Sequence, residues 1–193
     1  MGVEFELKYR ATPDILRQID GFAEGETVRY AMQTTYFDTP SGALSQRFYT
    51  LRTRQENDLS VCTLKAPLEG HGRGEWELNC QDILMAIPEL CKLGGPADLP
   101  ELVAEGLIAV CGAKFDRIAK TLVFPDCVLE LALDAGVLLG GGKELPLCEV
   151  EVELKEGDPR CCEAYGKQLA FLFGLEPETR SKFRRALSLY KGE

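Results

Sequence analysis

Six sets of charged residues recur at even spacing along this chain: Glu4/Glu6 with Lys8, Arg52/Arg54, Lys65 two residues after Thr63, Arg73 with Glu75/Glu77, Glu130 with Asp134, and Glu149/Glu151/Glu153. On a β-strand, residues i and i+2 share a face, so each set gathers its charges on one side. The other side is apolar, as in residues 148–154, where Val150, Val152 and Leu154 alternate with the glutamates. Any one set alone reads as the solvated face of an antiparallel sheet. Together they differ from such a face, because glutamates run with glutamates and arginines with arginines. Like charges aligned in this way are unfavourable without counter-charges or metal. Carboxylates at i, i+2 suit hard divalent cations, which take oxygen ligands, while Arg and Lys grip phosphate oxygens, the guanidinium bidentately. Acids and bases in one place point to a metal–phosphate complex, and a triphosphate leaves water only for a site supplying several cations and divalent metal.

The elements that must carry these sets follow from periodicity and punctuation. Val3 to Arg10 alternates strictly and predicts a strand; Thr12-Pro13-Asp14 then opens a short helix that stops near Gly21. Strands are expected over 28–38, 48–55, 59–66 and 75–79, with Asn57-Asp58 as a hairpin turn. Residues 82–112 carry helix-spaced apolar positions around Gly94-Gly95-Pro96 and predict a helical insertion. Strands resume over 114–153. Gly140-Gly141-Gly142-Lys143 within them lacks the spacing of a phosphate-binding loop and reads as a hairpin turn. Asp158-Pro159 starts a helix ending at Gly174, and a short basic segment follows over 181–190, so C-terminal helices occupy about 158–190. If the strands close into a barrel, the charged faces point inward and the helices cover the apolar outside, with Trp76 facing that cover.

The length of 193 residues suits a single domain, and 45% hydrophobic with 27% charged residues is an ordinary globular balance. A net charge of −9 argues against broad binding to nucleic acid or anionic membranes, so an anionic substrate needs a local basic site. The apolar runs fall short of the ~20 residues of a spanning helix, and charge begins at Glu4. No membrane anchor or signal peptide is expected, and the predicted location is the cytoplasm. The eight cysteines include no CxxC pair and are expected to be reduced thiols. His71, the one histidine, is flanked by glycines and reads as an exposed loop residue.

Glu4-Phe5-Glu6-Leu7-Lys8 is an ExExK motif that resembles the hallmark of the CYTH superfamily, the triphosphate tunnel metalloenzymes. The other elements follow in order: Tyr36-Phe37-Asp38-Thr39-Pro40, Leu51-Arg52-Thr53-Arg54, Thr63-Leu64-Lys65, Arg73-Gly74-Glu75-Trp76-Glu77, Arg117, Glu130 to Asp134, Glu149-Val150-Glu151 and Ser181-Lys182. The chain is most similar to the bacterial inorganic triphosphatase branch. The resemblance implies an α+β fold in one domain over 1–193, a closed eight-stranded antiparallel β-barrel forming a tunnel, covered outside by helices. It implies Mg²⁺ or Mn²⁺ held by Glu4, Glu6 and the acids of the last strands, with the pairing among Glu149, Glu151 and Glu153 left open. Lys8, Arg52, Arg54, Lys65, Arg117 and Lys182 match family positions that bind triphosphate. To these the charge pattern adds Arg73 for phosphate and Glu75, Glu77, Glu130 and Asp134 among the acids for metal and water. The expected reaction is metal-dependent hydrolysis of the terminal phosphate of inorganic triphosphate, with Lys8, Asp134 and Glu151 as catalytic groups. Alternatives are hydrolysis of thiamine triphosphate or another organic triphosphate, cyclisation of ATP as in class IV adenylyl cyclases, or non-enzymatic binding of polyphosphate or nucleotide. The expected partner is a small-molecule triphosphate, with no nucleic acid or membrane, and the chain is a monomer or homodimer.

Overall fold

The alternation of charged and apolar residues sorts side chains onto the two faces of one antiparallel sheet. A computed structural model describes residues 5–68 and 72–193, so Glu4 and His71 lie outside the described residues. In chain order, β1 (Glu6–Arg10) leads to α1 (Pro13–Phe22), whose N-cap Thr12 accepts the Ile15 N–H. Then follow β2 (Glu26–Asp38), the single turn α2 (Ala43–Gln46), β3 (Thr50–Glu56), β4 (Leu59–Pro67) and β5 (Arg73–Asn79). Helices α3 (Ile83–Lys92) and α4 (Leu99–Leu102) precede β6 (Ile108–Val123), which starts ahead of Lys114, where the sequence pattern places it. The chain ends with β7 (Cys127–Gly140), β8 (Lys143–Gly157), α5 (Pro159–Phe173), the two-residue β9 (Glu176–Pro177) and α6 (Lys182–Lys191).

The expected closed eight-stranded barrel is not what forms. Among the described residues nine strands make one open sheet in the order β5-β4-β3-β2-β6-β7-β8-β1-β9, and no ladder joins β5 to the far side. The outer edge of β1, which closure requires, is taken by β9, where Tyr9 stands opposite Pro177 and Arg10 opposite Glu176. Proline has no N–H to offer a further strand.

The uncharged face is the main core. Tyr9, Leu129, Leu131, Leu133, Val150 and Val152 pack under α1 and α5. Leu51, Cys62, Leu64 and Trp76 pack with Leu44 of α2 and with α3 and α4, so Trp76 does face the helices. Helix α6 sits on the charged face, its Phe183 and Ala186 packed with Met32, Tyr36, Phe115, Leu138 and Leu147. A glycine allows that seat, since a Cβ at Gly140 would lie 2.3 Å from the Ala186 carbonyl oxygen. The turn between β7 and β8 is the expected hairpin, with Gly140 opposite Lys143 and positive φ at Gly141 and Gly142.

Two local features anchor the frame. The Asp38 carboxylate, 3% exposed, accepts the N–H groups of Thr39 (2.8 Å), Leu44 (2.9 Å) and Ser45 (3.2 Å) and the Ser45 hydroxyl, fixing α2 at the end of β2. Cys127 at the start of β7 and Cys161 in the first turn of α5 form a disulfide, correcting the expectation of eight thiols; the other six cysteines are free. The turn at Gly157 folds α5 back over β7 and brings the two together, with Cα atoms 6.4 Å apart.

Thiol titration of the denatured, unreduced protein should return six equivalents and reach eight after reduction; eight at the outset would refute the bridge. Asp38→Ala leaves buried donors without their acceptor and should cost about 2 to 4 kcal/mol in denaturant unfolding. A loss below about 0.5 kcal/mol would show that water replaces the carboxylate.

Candidate functional site

Cross-strand register turns the separate charge sets into rows. Glu6 stands opposite Glu153 and Lys8 opposite Glu151 across β1 and β8. Across β7 and β8, Glu130 meets Glu153, Ala132 meets Glu151, and Asp134 meets Glu149. Arg117 on β6 stands opposite Asp134. On the other flank Tyr36 meets Arg52, Thr34 meets Arg54, Thr50 meets Lys65, and Lys65 meets Glu75. The curled sheet and α6 enclose a cavity of about 950 Å³ lined by Glu6, Lys8, Arg52, Arg54, Lys65, Arg73, Glu75, Glu77, Arg117, Glu130, Glu151, Glu153 and Lys182. Every one of these was singled out in the sequence. Glu4 lies outside the described residues.

Asp134 and Glu149 share the face but not the cavity lining, and both are fully buried. Side-chain exposure along β8 grades from 0% at Glu149 through 14% at Glu151 to 28% at Glu153. Carboxylate oxygens of Asp134, Glu149 and Glu151 lie within 4.8 Å of one another. Cations already fill that nest. The Lys182 ammonium contacts Asp134 (2.9 Å), Glu151 (2.7 Å) and Glu149. Arg117 grips Asp134 with two 2.7 Å bonds and reaches Glu151 at 2.6 Å, and Arg185 holds Glu149 from behind. Burial alone would lower the Lys182 ammonium, but Glu151, Asp134 and Glu149 outweigh it and raise it above the ordinary lysine range. Burial likewise works against an ionised Glu151, yet Lys182 and Arg117 hold it well below the usual carboxylate range.

Nearer the mouth the acids are more open. Glu6 keeps Lys8 at 2.6 Å, while Lys155 reaches Glu153 at 2.8 Å and Glu130 at 3.7 Å. This is an all-oxygen donor set at the solvent end of the rows, the kind a hard divalent ion takes, and it fits such an ion better than the cation-filled nest below. On the opposite flank Arg52 lies 3.5 Å and Lys65 3.3 Å from Glu75, Arg54 bonds Glu56 at 2.6 Å, and Arg73 bonds Thr50 at 2.5 Å. Burial, Arg52 and Arg117 lower the Arg54 guanidinium, a mark of like charges crowded where an anion would relieve them.

Sequence reasoning missed four groups. Lys155 extends the period-two run of β8 and could have been read from it. Arg185 follows Lys182 at helical spacing, a weaker signal. Arg10 extends the period-two run of β1 in the same way as Lys155 does that of β8, whereas Glu178 carried no signal: 4% exposed, it lies just after β9, donates its N–H to the Lys8 carbonyl (2.8 Å) and accepts Arg10 Nε at 2.9 Å.

The family model described as the CYTH domain matches residues 2–187. The chain belongs to the CYTH domain family. The inorganic triphosphatase of Haemophilus influenzae is 27% identical over 194 residues, covering 96% of this chain and 54% of that protein. The chain thus spans about half the length of this curated CYTH relative. Among solved structures, HpAC1 from Hippeastrum, reported to reveal a dominant triphosphatase activity, superposes with TM-score 0.65 at 20% identity, covering 98% of this chain and 96% of that one. PH1819 of Pyrococcus horikoshii gives TM-score 0.61 at 22% identity, with 97% and 99% covered. Both show a shared fold. Among the described residues no helix is long and apolar enough to cross a membrane.

Burial works against an ionised Glu178, yet the Arg180 N–H, Arg10 and Arg185 bring it down to about 2 from an ordinary 4.5. A depressed carboxyl contributes stability that is present above pH 4.5 and lost as pH falls toward 2, on the order of 2 to 3 kcal/mol. Glu178→Gln should therefore be less stable at pH 7 and lose less between pH 5 and pH 2 than the parent. Parallel denaturation midpoints across that range would contradict the linkage.

Proposed function

We propose that this CYTH protein hydrolyses the terminal phosphoanhydride of inorganic triphosphate with the help of a divalent cation, giving pyrophosphate and phosphate. The single observation that carries the reading is the facing of two walls in one cavity: solvent-facing glutamates on β1, β7 and β8, and arginines and lysines on β3, β4 and β5. A binder that needs only charge attraction has no use for the acid wall. The kinship with the inorganic triphosphatase of Haemophilus influenzae supports the same substrate.

Glu6, Glu151 and Glu153 would hold Mg²⁺ or Mn²⁺, with Glu4 beside them in the motif, and Glu130, Glu75 and Glu77 assist. The choice of Glu151 and Glu153 among the β8 glutamates is supported by register, which puts Glu153 opposite Glu6 and Glu151 opposite Lys8, whereas Glu149 is sealed between Lys182 and Arg185. The ion, when bound, neutralises phosphate oxygens and lowers the pKa of attacking water. Arg52, Arg54, Lys65 and Arg73 grip the chain of phosphates from one flank, and Lys8, Arg117 and Lys182 from the other. Glu75, now shared by Arg52 and Lys65, holds both until an anion takes their charge. Glu151 is placed to accept the proton of the attacking water, and Lys8 to stabilise the charge that develops. Asp134, without access to the cavity, acts by orienting Arg117 and Lys182. Most of the acceleration comes from positioning and charge neutralisation.

Phosphate release from tripolyphosphate, ATP and thiamine triphosphate, compared with Mg²⁺ and with Mn²⁺, tests the substrate directly. Tripolyphosphate should be fastest, and preference for either organic triphosphate would overturn the assignment. Glu6→Gln should lower turnover at least a hundredfold with the fold intact, and EDTA should abolish it. Arg52→Ala should raise KM as well as lower kcat, with about 2 to 4 kcal/mol lost from kcat/KM. Hydrolysis that persists in Glu6→Gln with EDTA would sink the metal reading.

A further inference from the structure

The proposed reaction leaves Arg185 among the buried charged groups without a task. Arg185, 8% exposed, lies one helical turn after Lys182 on α6 and never reaches the cavity lining. It donates to Glu149 and stands 3.9 Å from Glu178. Glu149 is fully buried and has two cationic partners, Lys182 on one oxygen and Arg185 on the other. Lys182 in turn serves three carboxylates at once, Asp134, Glu149 and Glu151, while its side chain also lines the cavity. The two cations therefore share one carboxylate. An ammonium offers three N–H donors, and every donor spent on a buried carboxylate is withheld from an anion in the cavity. Without Arg185, Lys182 would be the one cation left against Glu149 among the described residues.

We infer that Arg185 is a positioning residue for triphosphate binding: by neutralising Glu149 from behind, it weakens one of the three carboxylate holds on the Lys182 ammonium, so that phosphate in the cavity can compete for it. The contact with Glu178 adds an anchor. Glu178 receives Arg10 and the Arg180 N–H and bonds the Lys8 carbonyl, so Arg185 is tied to the strand that carries Lys8. Two phosphate-facing lysines, one on β1 and one on α6, are thus registered through buried side chains that touch no substrate. The inference rests on the triphosphate reading of the cavity.

A two-by-two set of variants tests it: the parent, Arg185→Met, Glu149→Gln and the double variant, each assayed for tripolyphosphate turnover and, without divalent metal, for tripolyphosphate affinity by calorimetry. Arg185→Met should weaken affinity about tenfold and raise KM correspondingly, with kcat within about threefold. Glu149→Gln relieves the competition for Lys182, so the double variant should recover to within threefold of the parent affinity. Arg185→Lys, which keeps a cation near Glu149, should stay within threefold and stands in if Arg185→Met does not fold. A merely structural Arg185 would make the losses additive, with the double variant as weak as Arg185→Met or weaker, and that result overturns the inference, as does an Arg185→Met affinity equal to the parent's. Parent protein that binds tripolyphosphate without hydrolysing it would refute the hydrolase reading while the affinity cycle still decides the role of Arg185. Parent protein that does not bind tripolyphosphate refutes both.

Discussion

Neutralisation of a buried carboxylate nest by three cations from two different elements is the constraint on which the rest of this structure depends. Asp134, Glu149 and Glu151 stand within 4.8 Å of one another with little access to water, a placement that is costly unless each charge is paired and hydrogen-bonded. Strand β6 answers with Arg117, and α6 answers with Lys182 and Arg185. No neighbour on β7 or β8 could do so, because those strands present acids to one another along the shared rows. Helix α6 must therefore return to the charged face, where Phe183 and Ala186 find Met32, Tyr36 and Phe115 to pack on. The ion pairs specify where the helix sits, and apolar burial holds it there.

The same arrangement accounts for the open sheet. A closed barrel must accommodate its contents within a ring of strands, whereas here a helix occupies part of the concave face and the short strand leading to it, β9, takes the β1 edge. Glu178 marks the junction. It follows β9, bonds the Lys8 carbonyl and gathers Arg10 and Arg185, so the chain entering α6 is fastened to β1 just where closure would otherwise begin.

Much of this was legible in the sequence, and the boundary of what was legible has a physical origin. Period two identifies which residues share a face, so Glu6, Lys8, Arg52, Arg54, Lys65, Glu75, Glu77, Glu130 and Glu151 are legible from the pattern, while Arg117 is legible only through the family resemblance. Periodicity is silent on depth along a strand. Glu149, Glu151 and Glu153 are indistinguishable by pattern, yet α6 covers the first and leaves the last open. Closure was illegible for a related reason: it depends on whether two edges meet, and the residues that decided it, Glu176 and Pro177, form a strand too short to signal itself. The Cys127–Cys161 bridge joins an apolar strand start to a helix start across a turn, a meeting set by tertiary packing rather than by spacing.

Small residues complete the argument for why the charged rows can exist at all. Long cationic side chains need room, and small residues share their face: Ala119 lies two residues from Arg117 on β6, Ala132 stands opposite both Glu151 and Ala119, and Ala113 opposite Thr34. Ala113, Ala119 and Ala132 are all buried, although they point to the charged side of the sheet. Ala113 is buried with Met32, Tyr36, Phe115 and Leu138 under Phe183 and Ala186 of α6. Phe115 extends the same floor, with the Lys182 ammonium 5.5 Å and the Arg117 guanidinium 5.7 Å from its ring centre. A face that appears purely electrostatic in sequence is thus built on an apolar base. That base lowers the local dielectric, and it strengthens both the pairing of the nest and the pull on any phosphate that enters.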